Sequence, residues 1–199
     1  MTFTEAYLAE TKAITERLPI DRIEALASLL ARTRAGGGRV FVLGVGGSAA
    51  NASHLTSDFR RIAGLEAYAP TDNVSELSAR VNDEGWASTF AGWLQVSRLR
   101  PGDLVFVLSV GGGDRDLNVS PNLVAAIDYA REVGASVAGI VGRGDGHTAR
   151  TADVAVVVPT VNTQTVTPHS EAFQAVIWHL LVSHPLLKQA ETKWESLKP

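Results

Sequence analysis

Residues 39–51 read Arg39-Val40-Phe41-Val42-Leu43-Gly44-Val45-Gly46-Gly47-Ser48-Ala49-Ala50-Asn51. Four apolar side chains in succession predict a strand over Arg39–Leu43 that is buried on both faces, because a half-exposed strand would alternate apolar with polar residues. A cluster of glycines follows, and then a helical pattern over Ser48–Ile62. Strand, glycine turn and helix together are the first half of a parallel crossover unit. Small residues let backbone approach a ligand, and a helix start carries free N–H groups that suit an anion, although the same glycines also make an ordinary tight turn. The loop is neither a dinucleotide fingerprint, since the third glycine and a suitable acidic residue are missing, nor a Walker loop, since no Lys-Ser/Thr follows. No nucleotide cofactor is expected.

The pattern extends in both directions. Upstream, Met1–Leu18 reads as a helix stopped by Pro19, and a second helix runs to about Ala35 with Asp21 as its cap and Ile23, Leu26, Leu29 and Leu30 inside. Downstream come a short strand at Leu65–Ala69, helices at Val74–Val81 and Trp86–Arg98, and a turn at Pro101-Gly102-Asp103. The second strong apolar run is Leu104–Leu108. After it lie a long glycine-rich loop at Ser109–Val119, a helix over Ser120–Val133, strands at Ser136–Val141 and Val154–Val158, and a helix over about Pro168–Ser183 with a charged amphipathic tail. Strands alternating with helices of this length predict a three-layer αβα sandwich, Rossmann-like, around a mainly parallel sheet of five strands. One domain is expected over residues 1–199, with a helical pair at 1–35, the α/β core at 36–160 and a helical segment at 161–199.

Composition narrows the function. The formal charge is −3, from 18 basic and 21 acidic side chains, so no basic footprint points to nucleic acid. The absence of cysteine removes disulfides, thiolate zinc sites and a thiol nucleophile. No apolar run has the roughly 18–20 residues of a membrane helix, and the N-terminus lacks a signal-type core, so a cytoplasmic protein is expected.

The second loop, from Ser109 through Gly111-Gly112-Gly113-Asp114-Arg115-Asp116 to Ser120-Pro121-Asn122, is long for a strand-to-helix connection, and such loops are more often functional than idle. Ser120 is placed to cap the next helix, with Pro121 at its first position. His54 and Asp58, four apart on the helix after the first loop, share one face; such a pair is more often solvated than a site.

In order and spacing these pieces resemble the sugar isomerase (SIS) domain, and within it the phosphoheptose isomerases. The resemblance covers nearly the whole chain: Gly46-Gly47-Ser48-Ala49-Ala50-Asn51 with His54, Val81-Asn82-Asp83, Arg100-Pro101-Gly102-Asp103, Ser109, Ser120-Pro121-Asn122, and Thr167–His179. It implies an aldose–ketose isomerase that takes sedoheptulose 7-phosphate to a D-glycero-D-manno-heptose 7-phosphate, or an anomer or epimer of it, through an enediolate. It implies substrate or phosphate contacts from Gly47, Ser48, Asn51, Asp83, Ser109, Ser120 and Asn122, to which Arg115 is added as a partner for phosphate. It also implies a homotetramer with active sites between subunits. The family's Ser-x-Ser-Gly-x-Ser-x-Asn loop is interrupted here: Gly111 replaces its middle serine, and residues around Asp114-Arg115-Asp116 are extra.

Asp58 falls where the family carries a glutamate general base, and His179 where it carries a histidine, so the resemblance implies Asp58 as base and His179 as complementary acid/base. Some relatives bind zinc at four such positions, here His54, Asp58, Glu171 and His179, a donor set suited to zinc or another divalent ion. Residues eight apart on a continuous helix stand about 12 Å apart along its axis. Glu171 and His179 share an ion only if the helix starts late or different subunits contribute. Two alternatives stay open: a non-catalytic SIS-domain sensor or protein-binding module, which the altered loop favours, and an isomerase for another phosphosugar. The retained His54, Asp58 and His179 favour an enzyme.

Overall fold

The computed structural model describes residues 1–197; the last two residues of the C-terminal segment lie outside the described residues. Two helices lead, α1 (Phe3–Glu16) and α2 (Ile20–Ala35), and the α/β units follow. The strands β1 (Val40–Leu43), β2 (Ala67–Tyr68), β3 (Leu104–Ser109), β4 (Ser136–Val141) and β5 (Val154–Val157) form one parallel sheet in the order β2-β1-β3-β4-β5. Val40 pairs with Leu104 and Leu43 with Val107, so the two strongest apolar runs are neighbours at the centre.

Period-two geometry divides those runs between two cores. Val40, Val42, Leu104, Phe106 and Leu108 face one cluster with helices α2, α3 (Gly47–Arg61) and α8 (Val166–Ser183). Phe41, Leu43, Val105 and Val107 face the other with α5 (Thr89–Val96) and α6 (Pro121–Val133). Each large side chain buried this way contributes about 1.5–3 kcal/mol. That two-sided burial is why neither strand alternates. The three-layer αβα arrangement and the five-stranded sheet are as expected.

Three local readings are corrected. Pro19, not Asp21, precedes α2, and Asp21 lies in the first turn, where its charge suits the helix dipole. Ser120 stands at the head of α6 but has φ 47° and ψ 55° and makes no capping bond through its side chain. The expected helix over Trp86–Arg98 is a 3₁₀ turn, Trp86–Ser88, followed by α5, and it ends before a left-handed Arg98. The remaining helices are α4 (Val74–Asp83), α7 (His147–Thr151) and α9 (Lys193–Ser196).

The starts of β1 and β3 are held level at the amino end of the sheet. Asp103, fully buried, accepts from the Arg39 backbone N–H at 2.9 Å, from Arg39 Nη2 at 2.7 Å and from the Arg100 N–H at 3.1 Å. The side-chain hydrogen bond with the Asp103 carboxylate holds the Arg39 guanidinium above its ordinary range. With the strand starts fixed, the strand ends and the loops after them form the ligand face expected of such a sheet.

Candidate active site

Helix α3 leaves β1 through a glycine turn. Gly46 has φ 62°, and a Cβ on Gly44 would run into the Ser48 backbone, so both positions require glycine. Helix α8 packs beside α3 and runs the same way, which makes a ladder of contacts. At the first rung a Cβ on Gly47 would meet the Glu171 carboxylate. One turn on, Asn51 Nδ2 donates to the Glu171 carbonyl at 3.0 Å and to Gln174 Oε1 at 2.8 Å, while Gln174 Nε2 donates to Ser48 Oγ at 3.0 Å.

The last rung holds the titratable cluster. His54 Nε2 and His179 Nε2 each lie 3.5 Å from Asp58 Oδ2. Trp178 Nε1 donates to the same oxygen at 3.3 Å. Asp58 is buried, while its two imidazoles are about half exposed, so a ligand approaches from the histidine side. His179 Nδ1 bonds the Ala175 carbonyl at 2.8 Å. A carbonyl only accepts, so Nδ1 carries the proton and a neutral ring turns its Nε2 lone pair toward Asp58. Two lone pairs facing each other across 3.5 Å leave room for a proton or a cation between them.

The donor atoms of His54, Asp58 and His179 all lie within 4.8 Å of one another. Two imidazoles and a carboxylate form the three-ligand set of an open zinc site, so these residues fit a divalent ion. Glu171 does not join them. Helix α8 is continuous from Val166, and Glu171 stays at the start of α3, about three turns or roughly 16 Å along the axis from Asp58. The cluster within one chain therefore has three members, not four.

The loop residues are differently engaged. Ser109 is buried and its Oγ accepts from the Gly112 N–H at 2.9 Å, which shapes the loop from within. Asn122 is fully buried; its Oδ1 accepts from the Leu123 N–H at 3.0 Å, and its Nδ2 has no partner among the described residues. Arg115 is paired with Asp128 rather than reaching toward the serines. Asp83 ends α4, exposed, and takes its hydrogen bond from neighbouring Asn82. Ser48 Oγ accepts from Gln174 and Ser109 Oγ from Gly112, and among the described residues no hydrogen bond joins Ser48, Ser109 and Ser120.

Several participants went unread in the sequence. Trp178 lies beside His179 in the chain and Gln174 one turn after Glu171, neither within a recognisable motif. Asp128 and His147, which meet at 3.0 Å, lie in separate helices. His169 is buried against Glu10 of α1 at 2.8 Å and stacks on Tyr7.

The architecture is that of a doubly wound α/β protein whose ligand face lies at the carboxyl ends of its strands. A SIS domain model matches residues 5–142. The phosphoheptose isomerase of Chlorobaculum parvum is 38% identical over 161 residues, covering 77% of this chain and 73% of that protein. The lincomycin biosynthesis protein LmbN of Streptomyces lincolnensis is 32% identical over 184 residues, covering 89% of this chain and 66% of that protein. Among solved structures, phosphoheptose isomerase GmhA from Neisseria gonorrhoeae superposes with a TM-score of 0.78 at 25% identity, over 90% of this chain and 96% of that one. The chain belongs to the SIS domain family, in its phosphoheptose isomerase branch.

Proposed function

We propose that the protein is a sugar-phosphate isomerase interconverting sedoheptulose 7-phosphate and D-glycero-D-manno-heptose 7-phosphate. The observation that carries this reading is the buried Asp58 carboxylate between the imidazoles of His54 and His179. In the forward direction Asp58 takes a proton from C1 of the ketose, exchanges it with water, and delivers a proton to C2. His179 Nε2 takes the O1 proton and supplies one to O2, its ring held in a fixed tautomer by Ala175. Removal of the C1 proton leaves an enediolate across the two carbons, protonation at C2 consumes it, and no atom is gained or lost. A divalent ion held by His54, Asp58 and His179 would stabilise the enediolate oxygen as a Lewis acid in place of the His179 proton transfer, since it would occupy the same Nε2 lone pair.

The phosphate is assigned to the loops at the strand ends, with Gly47, Ser48, Asn51, Asp83, Ser109, Ser120 and Asn122 as its surroundings. The buried Asn122 amide supports this, since a donor without a protein partner beside a loop is the kind of group that a bound anion satisfies. The reading includes a homotetramer with sites between subunits. Val176 and Leu180 expose apolar surface on either side of His179, as Phe3 and Leu8 do on α1. The roughly 16 Å between Gly47 and Asp58 along α3 favours a cradle and an acid/base cluster that meet across chains. Among the described residues no helix is long and apolar enough to cross a membrane, and a phosphosugar substrate suits work in the cytoplasm.

The glycine at position 111 and the extra loop residues favour a second reading, an isomerase for a different phosphosugar. Purified protein incubated with sedoheptulose 7-phosphate and followed by NMR, with and without a chelator, tests both. Turnover of another phosphosugar alone selects the second, and no turnover of any overturns the enzyme reading.

A further inference from the structure

The loop between Ser109 and Ser120 is held in an unfavourable shape. Gly112, Gly113, Asn118 and Ser120 have φ of 74°, 80°, 53° and 47°, all left-handed. Two of the four are not glycine, and such residues persist only where their surroundings fix them. Part of the fixing is backbone: Asp114 and Val119 exchange N–H···O bonds of 2.8 and 2.9 Å, while His147 N–H donates to Gly113 at 2.7 Å and Thr148 N–H to Gly112 at 2.9 Å. Side chains add to it: Ser109 Oγ accepts from the Gly112 N–H, Thr148 Oγ1 donates to the Gly112 carbonyl, and one carboxylate joins the loop to two helices. Asp128, two turns into α6, holds Arg115 through Oδ2 and faces His147 Nε2 at 3.0 Å through Oδ1. A single side chain thus ties the loop, α6 and α7 together.

We propose that Asp128 is a positioning residue for phosphate binding: by clamping Arg115 and His147 it fixes the loop that carries Ser109 and Ser120. The proposal rests on the assignment of phosphate to that loop. It also makes Arg115 a strut of the loop and not a ligand of the phosphate. The two roles predict opposite signs. If Arg115 is a strut, loosening its partner weakens anion binding. If Arg115 is a ligand held away by Asp128, freeing it strengthens binding.

Calorimetric titration of the full-length protein with inorganic phosphate reads the sign without requiring turnover. Asp128→Asn is expected to weaken phosphate binding about three- to tenfold. Arg115→Gln should weaken it similarly, and the double variant no more than either single one, because both act through one contact. With sedoheptulose 7-phosphate, KM should rise more than kcat falls, and Asp128→Glu should recover part of the loss. Tighter phosphate binding by Asp128→Asn would overturn the proposal in favour of Arg115 as ligand, and unchanged binding would show the clamp to be idle. Should Asp128→Asn fail to fold, His147→Gln carries the test, because it loosens the clamp without freeing Arg115: weaker phosphate binding supports the clamp and unchanged binding overturns it. Wild-type protein that binds phosphate yet isomerises nothing defeats the enzyme reading while leaving this one intact. Wild-type protein that binds no phosphate defeats the clamp together with the loop assignment.

Discussion

Replacing Asp58 by asparagine separates chemistry from architecture at this site. Asparagine has the same size, and its amide oxygen can keep the 3.3 Å hydrogen bond from Trp178. That oxygen, in the place of Oδ2, is also the atom both imidazoles face at 3.5 Å, and the NH₂ group takes the place of Oδ1. The cost to the fold should therefore be about 1 kcal/mol, that of one altered buried hydrogen bond. The amide cannot take up a proton, and loss of a positioned general base slows reactions about 10²–10⁴-fold, or roughly 2.7–5.5 kcal/mol in the barrier. Asp58 lies three turns of α3 beyond the phosphate loops, so KM should move less than about threefold while kcat collapses. Asp58→Glu keeps the carboxylate, one methylene longer, and should stay within about tenfold of wild type. Progress curves by proton NMR on sedoheptulose 7-phosphate, with thermal melts as a control, give all of these numbers. Turnover by Asp58→Asn within a few-fold of wild type would refute Asp58 as the base.

Other consequences are simpler to state. Asp103→Ala strips a buried acceptor from Arg39 and from two backbone N–H groups, so it should cost about 3 kcal/mol and lower the melting temperature by roughly 6–12 °C, as calorimetry can check. Glu10 is held below its ordinary value by hydrogen bonds from Asn162, His169 and Thr165. A lowered folded-state value stabilises the fold above the unfolded value and is lost as pH falls through the folded one. Urea melts from pH 6 down to 3 should therefore show the advantage of wild type over Glu10→Gln shrinking below about pH 4. Zinc at saturating concentration should raise the melting temperature of wild type but not of His179→Gln, and a chelator should reverse the rise.

What the sequence revealed and what it withheld divide along physical lines. The runs at Val40–Leu43 and Leu104–Ser109 were legible because burial on both faces leaves an uninterrupted apolar signature. His54 and Asp58 were legible because helical periodicity alone puts them together. The approach of His179 to Asp58 at 3.5 Å depends on how α8 packs, and only the resemblance foretold it. That same packing keeps Glu171 at the head of α3, a separation that the rise per residue already implied. Ser120 misled because a serine before a proline at a helix start normally caps, whereas this one is drawn left-handed by a loop pinned to α7. The pinning contacts join Asp128 to Arg115 and His147, and Glu10 to His169, residues with no local pattern linking them.

Isomerisation in heavy water tests the account most directly, because it reads the reaction and the proton transfer together. Wild-type protein with sedoheptulose 7-phosphate in D₂O should yield an aldose 7-phosphate carrying deuterium at C2, at a rate that Asp58→Asn lowers by about 10²–10⁴-fold. Absence of any aldose phosphate, with or without added zinc, would contradict the central claim.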